Sequence, residues 1–232
     1  MLALIGGSGL YQLDGLTVTA RHEVTTPFGD PSSIITEGDY LGQQVLFLAR
    51  HGEGHQFLPH EVNYRANIFA LKSLGARRVL GFSAAGSLRK EIRPGELALT
   101  AQYFDHTRGK RNYSFFGGGV SAHVSTAYPT CPAFGADITD AATRIDETLH
   151  VNKTYACVEG PRLGTRAESF FLRDSAQSDL VGMTNVPEVF LAREAQLAYC
   201  TLCLVTDYDC WMDDPEEHVS VDKFFATYQG TL

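Results

Sequence analysis

A series of short apolar runs, each closed by a glycine-rich or polar turn, constrains this chain more than any other feature. Strand-length runs are expected at 2–5, 44–49, 78–82, 96–101, 154–158, 180–183 and 199–206. Between them lie segments of helical periodicity at 63–74, 138–148, 166–177, 187–196 and 219–228. Alternation of this kind predicts an α/β fold, a mixed twisted β-sheet flanked by helices. Pro187 is expected to open its helix where a missing N–H costs nothing, with Thr184 and Asn185 as capping candidates. No low-complexity tract, charge block or repeat interrupts the pattern, so residues 1–232 are expected to form a single domain.

The turns carry the chemistry. Gly6-Gly7-Ser8-Gly9 follows the first run, Arg50-His51-Gly52 the second and Ser83-Ala84-Ala85-Gly86-Ser87 the third; Thr184 follows the sixth, and Asp207-Tyr208-Asp209 the seventh. Open α/β sheets place ligands at the carboxyl ends of their strands. Five such turns converging on one place predict a pocket and an enzyme.

Composition narrows the partners. A formal charge of −8, with no basic stripe, argues against a nucleic-acid partner. No stretch approaches the ~18 apolar residues of a membrane span, and Met1-Leu2-Ala3-Leu4-Ile5 lacks the basic start of a signal peptide. The chain is expected to be cytoplasmic, with no membrane partner. Cys200 and Cys203 have CxxC spacing, but no second pair completes a zinc site, and buried reduced thiols are expected.

Each turn has a functional and a plain reading. Gly6-Gly7-Ser8-Gly9 offers backbone N–H groups and a hydroxyl, a nest for phosphate or simply a turn. It has neither the Lys of a P-loop nor the glycine spacing of a dinucleotide fingerprint. Arg50, ending an apolar run, needs an anion: two phosphate oxygens, or a carboxylate of the protein. His51, His55 and His60 invite a metal, yet Gly52, Gly54 and Pro59 break the helix that such spacing requires, and hydrogen-bonding roles fit better. Asp207 and Asp209 share a strand face if extended geometry continues. Buried carboxylates require donors. A 6-aminopurine supplies a match through its exocyclic amino group and a protonatable N7; an N-cap or surface pair is the plain alternative.

Taken together, these residues resemble the trimeric purine nucleoside phosphorylase family, in its 5′-methylthioadenosine phosphorylase branch. The resemblance runs through Ile5-Gly-Gly-Ser-Gly-Leu10, Ala49-Arg-His-Gly52, Asn63-Tyr-Arg-Ala-Asn-Ile68 and Ser83-Ala-Ala-Gly-Ser-Leu88. It continues in Glu159-Gly-Pro-Arg162, Arg166-Ala-Glu-Ser169, Gly182-Met-Thr-Asn-Val-Pro-Glu188 and Thr206-Asp-Tyr-Asp-Cys-Trp211. It implies that Ser8, Arg50, His51, Ser83, Ala84 and Thr184 hold phosphate, and that Met183 lies against ribose. Ser83 stands where the branch commonly has threonine, and Leu163, beside Gly164, where the family usually offers an aromatic ring to the base. Asp207 and Asp209 match the base-recognition pair, whereas 6-oxopurine relatives put an Asn in that motif. Leu58, Val219, Val221, Phe224 and Phe225 would form an apolar 5′ pocket, and His123 would reach a neighbouring subunit's pocket in a homotrimer.

The implied reaction is phosphate attack at C1′ with general acid catalysis at N7 by Asp207, contributing ~10²–10⁴-fold. It releases adenine and 5-methylthioribose 1-phosphate. Phosphate is a co-substrate, and neither metal nor organic cofactor is implied. The chain ends at Gln229-Gly-Thr-Leu232, where relatives generally continue into a helical tail. An open 5′ pocket would admit adenosine as well, so a broader purine nucleoside phosphorylase, acting on adenosine or on inosine and methylthioinosine, is the alternative. A non-catalytic nucleoside-binding protein is the third reading. Asp207→Ala is expected to lose far more turnover than Arg78→Ala, a charge away from the turns; equal losses in a steady-state assay would show the base site to be misplaced.

Overall fold

A computed structural model describes residues 1–7 and 15–214. Nine strands form one mixed sheet in the order β2-β3-β4-β1-β5-β8-β7-β6-β9. They are β1 (Leu2–Gly6), β2 (Thr17–His22), β3 (Ile35–Tyr40), β4 (Gln43–Ala49), β5 (Arg78–Ser87), β6 (Leu97–His106), β7 (Leu149–Val158), β8 (Leu180–Gly182) and β9 (Ala198–Asp207). β5 pairs with β9 as well as with β8, so β5, β8, β7, β6 and β9 close a ring. The helices are α1 (Tyr64–Ser73), α2 (Pro132–Arg144), α3 (Arg166–Phe170), continued by a π-helical turn at Phe171–Ser175, and α4 (Asn185–Glu194). The mixed α/β sheet with flanking helices is the predicted class. Among the described residues, no helix is long and apolar enough to cross a membrane.

The central strands form because they are apolar on both faces, as strands covered from both sides must be. β1 is buried from Ala3 onward, between β4 and β5 in parallel register. α1 begins where Asn63 caps it, accepting a hydrogen bond from the Ala66 amide at 3.2 Å. Its buried face, Ile68, Ala70 and Leu71, joins Val189 and Leu191 of α4 in the main core. Pro187 opens the regular part of α4 as expected. Val186 before it is extended (φ −113°, ψ 128°), the conformation that a following proline favours. Thr184 precedes the helix but makes no side-chain capping bond.

Three local expectations change. β2 and β3 were not expected, because Thr17–His22 is largely solvent-exposed and carries no apolar stripe; the ladder with β3 makes it a strand. The helix expected at 138–148 starts at Pro132, which occupies the first turn that proline tolerates, and ends at Arg144 so that β7 can begin. The third change matters most. Ser83–Ser87 is not a turn but the second half of β5, held by β9 along one edge and met by β8 at Gly86 and Ser87. Its small residues admit close neighbours: a Cβ at Gly81 would stand 2.6 Å from the Tyr199 hydroxyl and 3.0 Å from Glu188 Oε1.

The segment after β4 is fixed from both ends. The Arg50 amide donates to Gly6 O at 3.0 Å, and the Phe57 amide to His51 O at 3.1 Å. His51 Nδ1 lies 2.8 Å from Phe57 O, which can only accept, so Nδ1 carries the proton. Burial, partly opposed by that bond, pushes the His51 pKa from 6.5 down to about 4.

Two stability predictions follow from these contacts. Gly81→Ala forces Tyr199 or Glu188 to move and is expected to cost ~1–3 kcal/mol in urea unfolding; an unchanged midpoint would show that the pair yields freely. His51 stays neutral when folded, whereas the unfolded chain takes up a proton below pH 6.5. Stability present above pH 6.5 is therefore lost as pH falls toward 4, by roughly 3 kcal/mol from this residue. His51→Gln should flatten that part of the unfolding-versus-pH curve.

Candidate active site

The carboxyl ends of β1, β4, β8 and β9 and the inner face of β5 enclose a cavity of about 330 Å³. Its walls carry polar groups from Arg50, His51, Ser83, Thr184, Asp207 and Asp209. Leu58, Leu163, Val181 and Met183 supply apolar surface. Met183 is seated against Gly160, where a Cβ would stand 2.5 Å from its sulfur.

At one part of this cavity lies a fully buried ion pair. Arg50 donates from Nε and Nη2 to the Glu188 carboxylate at 2.7 and 2.8 Å, and from Nη1 to Phe82 O at 2.7 Å. The guanidinium has five N–H groups, so one on each Nη remains for another partner. Both side chains have no solvent exposure; burial opposes the Arg50 charge most strongly of any single influence, yet the charge and hydrogen bonds of Glu188, with smaller help from Tyr199 and Tyr64, together outweigh it. Glu188 also accepts from the Tyr199 hydroxyl at 2.7 Å. Thr201 then donates to Tyr199, and Tyr103 to Thr201, each at 2.9 Å, carrying the network across β9 to β6. Arg50 was expected either to grip phosphate with two donors or to pair with a carboxylate. Its bidentate edge belongs to Glu188, and only the remaining donors are left for an anion.

Beside it, hydroxyls gather. Ser83 Oγ lies 3.4 Å from both Thr184 Oγ1 and the Tyr155 hydroxyl. Gly182 makes room for Tyr155, since a Cβ there would stand 2.0 Å from its oxygen. A Cβ at Gly7 would meet Phe82 O at 2.6 Å and Arg50 Nη1 at 3.3 Å, so the first turn must also be glycine.

The carboxylates come next along β5. Its register against β9 shifts between Ala85 and Gly86, a bulge of the kind that re-aims a strand. A Cβ at Gly86 would stand 2.8 Å from Asp207 Oδ1. Asp207 Oδ1 accepts from the Asp209 amide and Oδ2 from the Thr206 hydroxyl, both at 2.7 Å. The two aspartates were expected to share a face through continued extension. Instead the chain turns: Asp209 has φ +52°, and the side chain-to-backbone bond holds the turn. Both still line the cavity. Burial raises the Asp209 pKa above the usual carboxylate value. Trp211 anchors the far side of the turn, its Nε1 donating to Ser87 O at 2.8 Å.

Of the residues singled out in the sequence, Arg50, His51, Leu58, Ser83, Ala84, Leu163, Met183, Thr184, Asp207 and Asp209 line this cavity. His123 does not; it is exposed on a separate loop of its own chain. Ser8, Val219, Val221, Phe224 and Phe225 lie outside the described residues. His60 does not line the cavity, whereas His55 does and stacks on His51 with ring centroids 4.5 Å apart. Among the described residues, no three His, Cys, Asp or Glu side chains are grouped to hold a metal. Cys200 and Cys203 are buried free thiols. Sequence reasoning missed Glu188, Tyr155 and Tyr199. Glu188 alone had a visible signal: a charged residue in the apolar helix after Pro187.

Comparison with known proteins bears on this arrangement. The family model described as the phosphorylase superfamily matches residues 1–232. The S-methyl-5′-thioadenosine phosphorylase of Geobacter sulfurreducens is 46% identical over 97% of this chain and 78% of its own length. That of Hyperthermus butylicus is 48% identical over 92% of this chain and 78% of its own. Among solved structures, methylthioadenosine phosphorylase from Schistosoma mansoni, in complex with adenine, superposes with a TM-score of 0.94 at 36% identity, covering 99% of this chain and 86% of that one. A cavity walled by strand ends, with an arginine, hydroxyls and paired carboxylates, thus accompanies similarity along nearly the whole sequence. The chain belongs to the phosphorylase superfamily.

Proposed function

We propose that this chain catalyses the phosphorolysis of 5′-methylthioadenosine to adenine and 5-methylthioribose 1-phosphate. The observation that carries the reading is a single cavity holding two unlike sets of polar groups. The Arg50, Ser83 and Thr184 donors suit an oxyanion, and the Asp207–Asp209 pair suits a hydrogen-rich base edge. Ser83 and Gly86, which face the two sets, are three residues apart on β5, roughly 10 Å. A ribosyl purine bridges that separation.

Phosphate occupies the hydroxyl side, with His51 and the backbone at Ala84 and with Ser8 as a further donor from the first turn. One phosphate oxygen forms a bond to C1′ as the C1′–N9 bond breaks and its electron pair passes into the purine. Positive charge developing on the ribose is stabilised by the adjacent anion, held in place before reaction. Met183 packs against the ribose, and Leu163 and Leu58 cover the base and the 5′ end, with Val221 and Phe224 completing the 5′ pocket. The aspartates act as a unit. Between them they hold one proton, which passes to N7, while the remaining carboxylate accepts from the 6-amino group. Burial favours keeping that proton on Asp209. The chemistry uses no metal or organic cofactor. His123 is assigned to the pocket of a neighbouring subunit in a homotrimer, and the enzyme to purine and methionine salvage in the cytoplasm.

The test is phosphate-dependent base release from methylthioadenosine, adenosine, inosine and methylthioinosine at equal concentration. The 6-oxo substrates set O6 lone pairs against a carboxylate and are expected to fall behind by on the order of 10⁴-fold. Preference for them would overturn the base assignment, and equal rates on adenosine and methylthioadenosine would establish the broader 6-aminopurine enzyme. Because burial raises the proton affinity of Asp209, kcat is expected to fall only as pH rises past the ordinary carboxylate range. A pH–rate profile at saturating substrates reads that limb directly.

A further inference from the structure

His51 differs from the other polar groups around the oxyanion side of the cavity. The Arg50 guanidinium and the Ser83 and Thr184 hydroxyls can all donate to an anion. His51 has its donor committed elsewhere: Nδ1–H is held by Phe57 O at 2.8 Å. Its other nitrogen, Nε2, has no hydrogen-bond partner among the described residues, and unlike His60 Nδ1 it is not sealed in protein. A neutral imidazole protonated at Nδ1 presents a lone pair at Nε2. Burial opposes a second proton on the ring most strongly, the Arg50 charge and the stacked His55 add to it, and the Phe57 bond offsets them only in part. Charge alone does not select the ligand either, since Arg50 is already matched by Glu188.

Building on the phosphorolysis reading, we infer that His51 is a hydrogen-bond acceptor that makes this site select a tetrahedral oxyanion bearing a hydroxyl group. Monohydrogen phosphate satisfies it: its P–OH donates to Nε2 while its bare oxygens accept from Arg50, Ser83 and Thr184. An unprotonated oxyanion sets an oxygen lone pair against the nitrogen lone pair, and one buried hydrogen bond goes unmade. That loss corresponds to ~10–100-fold in affinity. The Phe57 carbonyl is therefore a specificity element, because it fixes which ring nitrogen carries the proton.

The experiment is anion binding by calorimetry at pH 8, where the charges are matched. Phosphate and arsenate carry one hydroxyl, whereas monofluorophosphate and sulfate are dianions without one. Phosphate and arsenate are expected to bind ~10–100-fold more tightly than monofluorophosphate and sulfate. Nitrogen-15 shifts of the His51 ring should show Nδ1 protonated and Nε2 bare. In His51→Gln, whose amide can turn an N–H₂ toward the anion, the preference should collapse while the fold, followed by circular dichroism, is retained. Equal binding of phosphate and monofluorophosphate by the unaltered protein would overturn the inference whatever the variant does. So would a penalty that appears only with 2′- or 3′-deoxynucleosides, which would put the lone pair under the ribose. Phosphorolysis with equal anion binding sinks this inference alone. The expected anion order without phosphorolysis sinks the proposed reaction and leaves the acceptor role standing.

Discussion

The pairing of Arg50 with Glu188 in a place without solvent governs much of the rest of the structure. A charge buried there is tolerable only if its partner is equally fixed, and removing either member of such a pair costs on the order of 3–5 kcal/mol. Tyr199 holds Glu188, Thr201 holds Tyr199, and the chain of bonds reaches Tyr103 on β6. Four glycines, Gly7, Gly81, Gly86 and Gly182, leave the space into which polar side chains or carbonyls project. The pocket's polar groups are buttressed from behind by a network that is buried from Glu188 through Thr201, which is the condition for groups that must act without rearranging.

That burial has an electrostatic consequence. With Arg50 balanced and His51 neutral, the oxyanion side carries little uncompensated positive charge. Recognition then rests on hydrogen-bond pattern more than on attraction, and pattern discriminates between ligands that charge would treat alike. The carboxylate side follows the same logic in reverse. Asp207 accepts from the Thr206 hydroxyl and the Asp209 amide, and Asp209, as deeply buried as Asp207, has its proton affinity raised by that burial. Two neighbouring carboxyl groups buried together in this way can hold one proton between them.

Much of this was legible in the chain. Apolar runs located the central strands to within a few residues, because strands buried on both faces have no polar face to disguise them. Turn residues placed after those runs identified most of the cavity, since α/β sheets present ligands at strand carboxyl ends. Where local pattern failed, the reasons were physical. β2 is polar and gains its identity from a neighbour. The helix expected from residue 138 begins at Pro132 and runs through Gly135. Ser83–Ser87 reads as a loop because its residues are small; at Gly86 the reason is that Asp207 leaves no room for a Cβ.

By itself, the sequence determined the α/β class, the order of the chemical groups along the chain and the presence of Arg50, His51, Thr184, Asp207 and Asp209 at or just beyond strand ends. Those properties are local, written in periodicity and in residue type. The tertiary structure alone decided that Glu188 takes the bidentate edge of Arg50, that Phe57 takes the Nδ1 proton of His51, and that a left-handed turn, rather than strand alternation, brings Asp209 back to Asp207. Each of those choices depends on which partner arrives within hydrogen-bonding distance. Arg50 and Glu188 come from elements far apart along the chain, and even the nearer partners meet only in the geometry that the surrounding sheet imposes.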